Sequence, residues 1–253
     1  MQNDIFNRIE TAPKPDFGGI LSRSFDLFKL TWKECLFHGL ISLALAIPFL
    51  ILVYVPFIGM YIEMIQASVN GYNYQPEMDY SIAWIIGYSL LVTVMAIIMQ
   101  LIGIGIAAHF YQVLKRQDTG SPLDPGGYFV YLKAHFGKIV LLTLATFGIS
   151  LLALLLCYFP IFYVMVPLQL IVPIFAFNKN LSVKEIIKAS FKLGNKFWLI
   201  IFGLAIISSM IAQVGIIACF VGVFVTAYFV HIPMYFLYKE TIGFEESPEM
   251  ISK

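Results

Sequence analysis

Four stretches of this chain run for 25 to 42 residues without one Asp, Glu, Lys or Arg. They are residues 36–60, 81–114, 139–177 and 197–238. A helix crosses a ~30 Å hydrocarbon core with about 20 apolar residues. The first two runs each read as one span. The third contains Tyr158-Phe159-Pro160 and divides into spans at 139–158 and 161–177. The fourth divides near Gln213-Val214-Gly215 into spans at 197–213 and 216–238. The expectation is six transmembrane helices. The second run, at ~1.5 Å per residue, reaches about 51 Å. It must tilt, project or bend, and Gly103-Ile104-Gly105 is the predicted bend.

Charge orients the spans. All 16 Lys and Arg residues fall on one side of the six-span topology. They cluster at 8–33, 115–138, 179–196 and 239–253. The other side holds Glu63, Glu77 and Asp79 and no basic residue. The positive-inside rule places both termini in the cytosol. An odd count would scatter the cations over both sides. The chain is 60% apolar and 12% charged, against roughly 25% charged in soluble domains. No cleavable signal peptide is predicted before the first span. The domain reading is a polar cytosolic segment at 1–16, one membrane domain at 17–240 and an acidic cytosolic tail at 241–253. Residues 61–80 read as an external loop, with a turn at Asn70-Gly71.

Ser24-Phe25-Asp26-Leu27 with Trp32 recurs as Ser190-Phe191-Lys192-Leu193 with Trp198, 166 residues later. A looser echo is Lys133-Ala134-His135-Phe136 against Lys188-Ala189-Ser190-Phe191. The expected fold is therefore all-α, three helical hairpins each preceded by an amphipathic interfacial helix. Low complexity in apolar segments offers chance similarity as the competing account. Ser182 and Glu185 form a capping-box pattern that starts one such helix. Val183, Ile186, Ile187 and Phe191 form its apolar stripe. Lys184, Lys188, Lys192 and Lys196 form a basic ridge. In the first segment, Leu21, Phe25, Phe28 and Trp32 are apolar, with Ser22, Asp26, Lys29 and Lys33 opposite. Each basic residue near an anionic membrane surface contributes ~1 kcal/mol. Arg23, Lys29, Lys33 and the four ridge lysines are the candidate headgroup-facing set. Phe25, Trp32, Phe191 and Trp198 are the candidate interfacial anchors. Plain membrane anchoring is the simpler account of all of them.

Catalytic patterns are missing. The span interiors hold no Asp, Glu, Lys or Arg, which argues against a proton-coupled pump. Gly103-Ile104-Gly105 lies inside a span and is no dinucleotide fingerprint. Cys35, Cys157 and Cys219 read as buried thiols. Gln100, Gln169 and Gln213 suit interhelical hydrogen bonds. His38, His109 and His231 sit at similar depth and are a candidate metal set, without i,i+4 spacing to support it. No cofactor and no nucleic-acid partner is expected.

Asp16-Phe17-Gly18-Gly19-Ile20-Leu21, the Ser-Phe-x-Leu helix and Asn178-Lys179-Asn180-Leu181-Ser182-x-x-Glu185 resemble a bacterial family. Its members are six-span inner-membrane proteins related to the membrane domain of some glycerophosphodiester phosphodiesterases. The resemblance covers residues 17–240 and implies a bacterial cytoplasmic-membrane location. It transfers no catalytic residue, because the soluble phosphodiesterase barrel has no counterpart here. Three functions stay open. One is a non-catalytic subunit or scaffold contacting anionic lipid and a membrane-protein partner. The second is a transporter or channel for a neutral or lipid-like solute through the proline-broken spans three and four. The third is an integral-membrane enzyme built on the histidines.

Overall fold

The computed structural model describes residues 2–71, 81–122, 124–156, 159–218 and 222–244. Every regular element among them is helical. Five runs are long and apolar enough to cross a membrane: Phe17–Asn70, Ile82–Thr119, Phe136–Leu155, Pro160–Phe177 and Trp198–Gly215. The chain is a multi-pass helical membrane protein. Cys157, Cys219, Tyr72, Tyr74 and Tyr80 lie outside the described residues, as does the acidic tail beyond Phe244.

Helix α1 is Gln2–Thr11 and α2 is Phe17–Tyr54. A 3-10 turn at Val55–Phe57 leads into α3, Ile58–Asn70. Then come α4, Ile82–Thr119, and α5, Val130–Ala134. Next are α6, Phe136–Leu155, α7, Phe159–Gln169, and α8, Ile171–Phe177. The chain ends with α9, Val183–Lys196, α10, Trp198–Ala218, α11, Gly222–Thr226, a 3-10 turn at Ala227–Val230, and α12, His231–Thr241.

The polar segment at 1–16 contains a helix, whose i,i+4 neighbours Ile5 and Ile9 are both buried. Several expectations need correction. The first amphipathic segment is not a separate interfacial helix. Nothing between Phe17 and Pro48 breaks the ladder, so α2 runs straight through it. The loop assigned from residue 61 is helical as far as Asn70. There Gly71, at φ 73°, supplies the left-handed cap that a side chain would resist. No break interrupts α4 at Gly103–Gly105. Gly105 serves close approach instead, since a Cβ there would lie 3.0 Å from Leu132 Cβ.

The expected sixth span, 216–238, is not one uninterrupted helix among the described residues. Pro233 cannot donate to the carbonyl four residues back, and the turn before it tightens to 3-10. The predicted turn at Gln213–Gly215 is also displaced, because α10 continues to Ala218. Gly215 is a contact point: a Cβ there would lie 2.5 Å from Gly222 C. Prolines do shape the Pro160–Phe177 run as expected. Pro173 has no N–H for Gln169 O, and the helix breaks at Leu170, whose N–H donates to Pro167 O at 3.1 Å.

Helix α9 starts as its pattern predicts. The Ser182 N–H donates to Glu185 Oε2 at 2.8 Å, and the Glu185 N–H donates to Ser182 Oγ at 3.4 Å. It ends at Phe197, with φ −125° and ψ 32°. His135, just before α6, has nearly the same conformation, φ −127° and ψ 29°. The Lys-Ala-x-Phe echo would align His135 with Ser190, whereas these two elbows align it with Phe197.

The chain forms two compact units, residues 1–40 with 101–253, and residues 41–100. The smaller unit exposes Ile51, Val69, Ile82 and Leu90, and its one described buried side chain is Ala67. Such a surface suits lipid rather than water. Within it Tyr88 donates its hydroxyl to Val53 O at 2.6 Å and stacks on Trp84. The larger unit holds the packed core around Phe110, Tyr111, Phe175, Leu204, Phe229 and Tyr235.

In the core, α2 buries Ile20, Ser24, Leu27, Thr31, Cys35 and His38. Ser24 and Thr31 donate to the carbonyls of Ile20 and Leu27, at 2.7 and 2.8 Å. A hydroxyl bonded to its own helix packs as a small, nearly apolar group. In both copies of the repeated motif the Ser and the Leu are buried, Ser24 with Leu27 and Ser190 with Leu193. Phe25 and Trp32 stay exposed on α2, 40% and 45% accessible.

Candidate functional site

The candidate site is the basic face of the larger unit. Arg23 forms an ion pair with Glu240 and lies 5.1 Å over the Phe236 ring. Lys29 pairs with Asp26 at 2.9 Å, with both side chains well exposed. Lys33 is exposed, its ammonium 5.7 Å from the Trp32 ring centre. Phe25 packs on Phe229 at 5.2 Å. Trp198 donates its indole N–H to Tyr163 O at 3.2 Å and stacks on Phe202. Phe191 is half-buried.

The lysine ridge of α9 divides. Lys184 and Lys188 are exposed. The other end is covered by α1. Lys192 forms an ion pair with Glu10, and Lys188 and Lys192 both lie over the Phe6 ring, at 5.3 and 5.6 Å. Hydrogen-bonded Lys192 holds the Glu10 carboxyl below the usual carboxylate range. Lys196 donates to three carbonyls, Ile9 O at 2.9 Å, Glu10 O at 2.6 Å and Ala12 O at 2.9 Å. The last carbonyls of a helix lack intrahelical partners and carry its negative dipole end. One ammonium therefore caps α1 and fastens it to α9. The sequence signal was the Ile5–Ile9 pair ahead of Pro13, and only their burial gives it meaning. A Lys192→Gln, Lys196→Met double variant is expected to free α1. Hydrogen bonds from a charged donor contribute about 1.5–3 kcal/mol, so amide exchange over residues 4–11 should rise about tenfold or more. Unchanged exchange would show that Ile5 and Ile9 alone hold the helix.

Beside this face opens a cavity of about 380 Å³. Lys115 and Arg116 reach it from α4, Tyr131 and Ala134 from α5, and Lys179 from the step after α8. His135 and the Asp124–Gly126 loop complete its wall. Burial, then the charges of Lys179 and Lys138, hold the His135 imidazole below its ordinary range. The sequence gathered these cations on one expected side of the spans. It had no local spacing to show that they share one cavity.

Two of the three candidate metal histidines meet. His38 Nε2 and His109 Nδ1 are 3.0 Å apart, and both rings are buried. The outer nitrogens face carbonyls, His38 Nδ1 on Glu34 O at 2.7 Å and His109 Nε2 on Gly126 O at 3.0 Å. Two neutral imidazoles carry two N–H groups. All three contacts can be hydrogen bonds only with a third proton. His231 instead faces the Tyr111 hydroxyl at 3.4 Å. Among the described residues no three His, Cys, Asp or Glu side chains gather as a metal site would require.

A second cavity, of about 260 Å³, lies at the break between α7 and α8. Gln169, Tyr111, Ser209 and His231 supply its polar lining.

Comparison with protein-family models, with curated proteins and with solved structures returns no match to this chain.

Proposed function

We propose that this chain is a non-catalytic, six-span protein of the bacterial cytoplasmic membrane, serving as a subunit or scaffold of a membrane complex. In this reading both termini are cytosolic and the basic face rests against anionic lipid. The observation that carries it is the meeting of the two ends of the chain. Arg8 donates to Ile242 O at 3.3 Å, and Arg23 pairs with Glu240. Residues before the first apolar run thus touch residues after the last, which supports an even number of crossings. Five long helices with α11 and α12 as a broken sixth satisfy that count. Contacts join the other basic segments to the same face, Lys138 donating to Lys179 O at 2.6 Å and Lys239 pairing with Asp118 at 2.5 Å. The shared elbows at His135 and Phe197 support the hairpin repeat, and the motif resemblance supports kinship with the six-span family.

The test uses exposed cations, not Lys192 and Lys196, which hydrogen-bond to α1. The quadruple variant Lys29→Gln, Lys33→Gln, Lys184→Gln, Lys188→Gln removes about 1 kcal/mol per residue of attraction to an anionic surface. Retention of phosphatidylglycerol in nanodiscs, counted by mass spectrometry, is expected to fall more than about tenfold. Equal retention by wild type and variant overturns the lipid-facing assignment. A stoichiometric co-purifying protein establishes the subunit reading.

The cavity at Gln169 favours a second reading, a path for a neutral or lipid-like solute. Gln169 lines that cavity beside Tyr111, Ser209 and His231, a polar lining that can serve a guest. A neutral molecule retained by the purified chain, and no protein partner, would move the assignment there.

A further inference from the structure

The cations around the larger cavity are unevenly spent. The lining holds three of them, Lys115, Arg116 and Lys179, and one carboxylate, Asp124. Asp124 faces Arg116 at 3.7 Å and accepts the Gly126 N–H at 3.2 Å. Neither lysine is in an ion pair among the described residues. Lys179 lies 4.7 Å over the Tyr131 ring, and Lys115 lies 4.5 Å over the Phe244 ring. A ring face attracts a cation but does not neutralise it. Both lysines line the same cavity; burial, then the charge of Lys179, hold the Lys115 ammonium below its ordinary range, and an anion bound there would be attracted to both.

The other lining groups fit the same guest. Arg116 offers a planar fork suited to paired oxyanion contacts, and lysines suit phosphate as point charges. Tyr131 also lines the cavity, its ring under Lys179. The Gln112 amide is already committed to Ala176 O at 2.7 Å, so it shapes the wall. The volume of about 380 Å³ accommodates a phosphate with part of what it is esterified to.

We propose that this cavity binds one phosphate group, held by Lys115, Lys179 and Arg116. The assignment rests on reading the basic face as anion-contacting, and it names a discrete site within that face. Two sources share the chemistry, an anionic phospholipid headgroup and free phosphate.

The experiment uses the full chain in nanodiscs, wild type against Lys115→Gln, Lys179→Gln. In zwitterionic nanodiscs inorganic phosphate is titrated calorimetrically. In nanodiscs doped with phosphatidylglycerol, native mass spectrometry counts lipid surviving stepwise delipidation. Wild type is expected to hold one phosphate-bearing ligand, and the double variant to bind it at least about tenfold more weakly. Removing two mutually repelling charges should leave folding intact, and Lys115→Arg, Lys179→Arg should restore binding. One tightly held lipid that phosphate does not displace identifies a headgroup site. Binding of free phosphate without the lipid identifies a small-anion site. No ligand in wild type in either arm, or equal binding by wild type and the Gln variant, overturns the proposal. The quadruple surface variant separates the two claims. If it alone loses lipid, the face stands and the pocket falls; if the pocket variant alone loses its single ligand, the reverse holds.

Discussion

Gly39→Ala is expected to cost about 3 kcal/mol of stability, the upper end of overpacking penalties. Gly39 sits in α2 beside buried His38, against the backbone of α11. A Cβ there would run into Phe224 O and lie 3.1 Å from Phe224 C and 3.2 Å from its Cα. Those are main-chain atoms, so no rotamer change gives way. Either α2 or α11 must shift, and the His38–His109 contact shifts with α2. Gly148→Ala provides the control. Nothing lies within 4 Å of its added Cβ, and Gly148 is inside α6. Helix propensity alone then predicts a gain of up to about 1 kcal/mol. Unfolding in mild detergent measures both variants. Two helical glycines with opposite signs would support the α2–α11 contact, and equal behaviour would refute it.

Asp118→Ala is the second large effect. Its Oδ2 accepts the Tyr235 hydroxyl at 2.6 Å and the Lys239 ammonium at 2.5 Å. Asp118 is 17% exposed and Lys239 36%. The contacts tie the end of α4 to α12, more than a hundred residues later. Removing the carboxylate leaves a buried hydroxyl and a partly buried ammonium without their acceptor. Breaking a buried pair costs about 3–5 kcal/mol; partial solvent access to Lys239 lowers the expectation here to about 2–3 kcal/mol. Asp118→Asn keeps an acceptor for Tyr235 and should lose about half as much. The same unfolding measurement decides it, and a neutral Asp118→Ala would mean that α12 is held by packing alone.

Membrane character was legible because hydropathy is a local property. Any uncharged run of sufficient length declares itself, wherever its neighbours lie. Boundaries were less legible. The first amphipathic segment fused with its span because no residue there stops a helix, whereas the α9 segment stopped at Phe197. The glycines at 103–105 suggested a bend because the reading weighed flexibility, while the fold uses Gly105 for contact with Leu132. The buried face of α2 was missed for a related reason. Ser24 and Thr31 count as polar in a sequence, yet each spends its hydroxyl on its own helix and packs as core.

The lysine ridge shows how far a surface pattern can be read. Its spacing and capping box were sound local inferences. Which of its lysines are spent was not local at all, because α1 lies more than 170 residues away in the chain. The cavity cations are the same case. Lys115 and Lys179 belong to different segments, and nothing near either one reports the other.

The sequence by itself determined that the chain carries several helices long and apolar enough to cross a membrane. Long apolar runs settle that through transfer free energy, which needs no partner. Tertiary structure alone decided that Lys196 caps α1, that His38 meets His109, and that Lys115 and Lys179 face one cavity. Those outcomes depend on which helix packs against which, and packing is a property of pairs of segments that no single segment encodes.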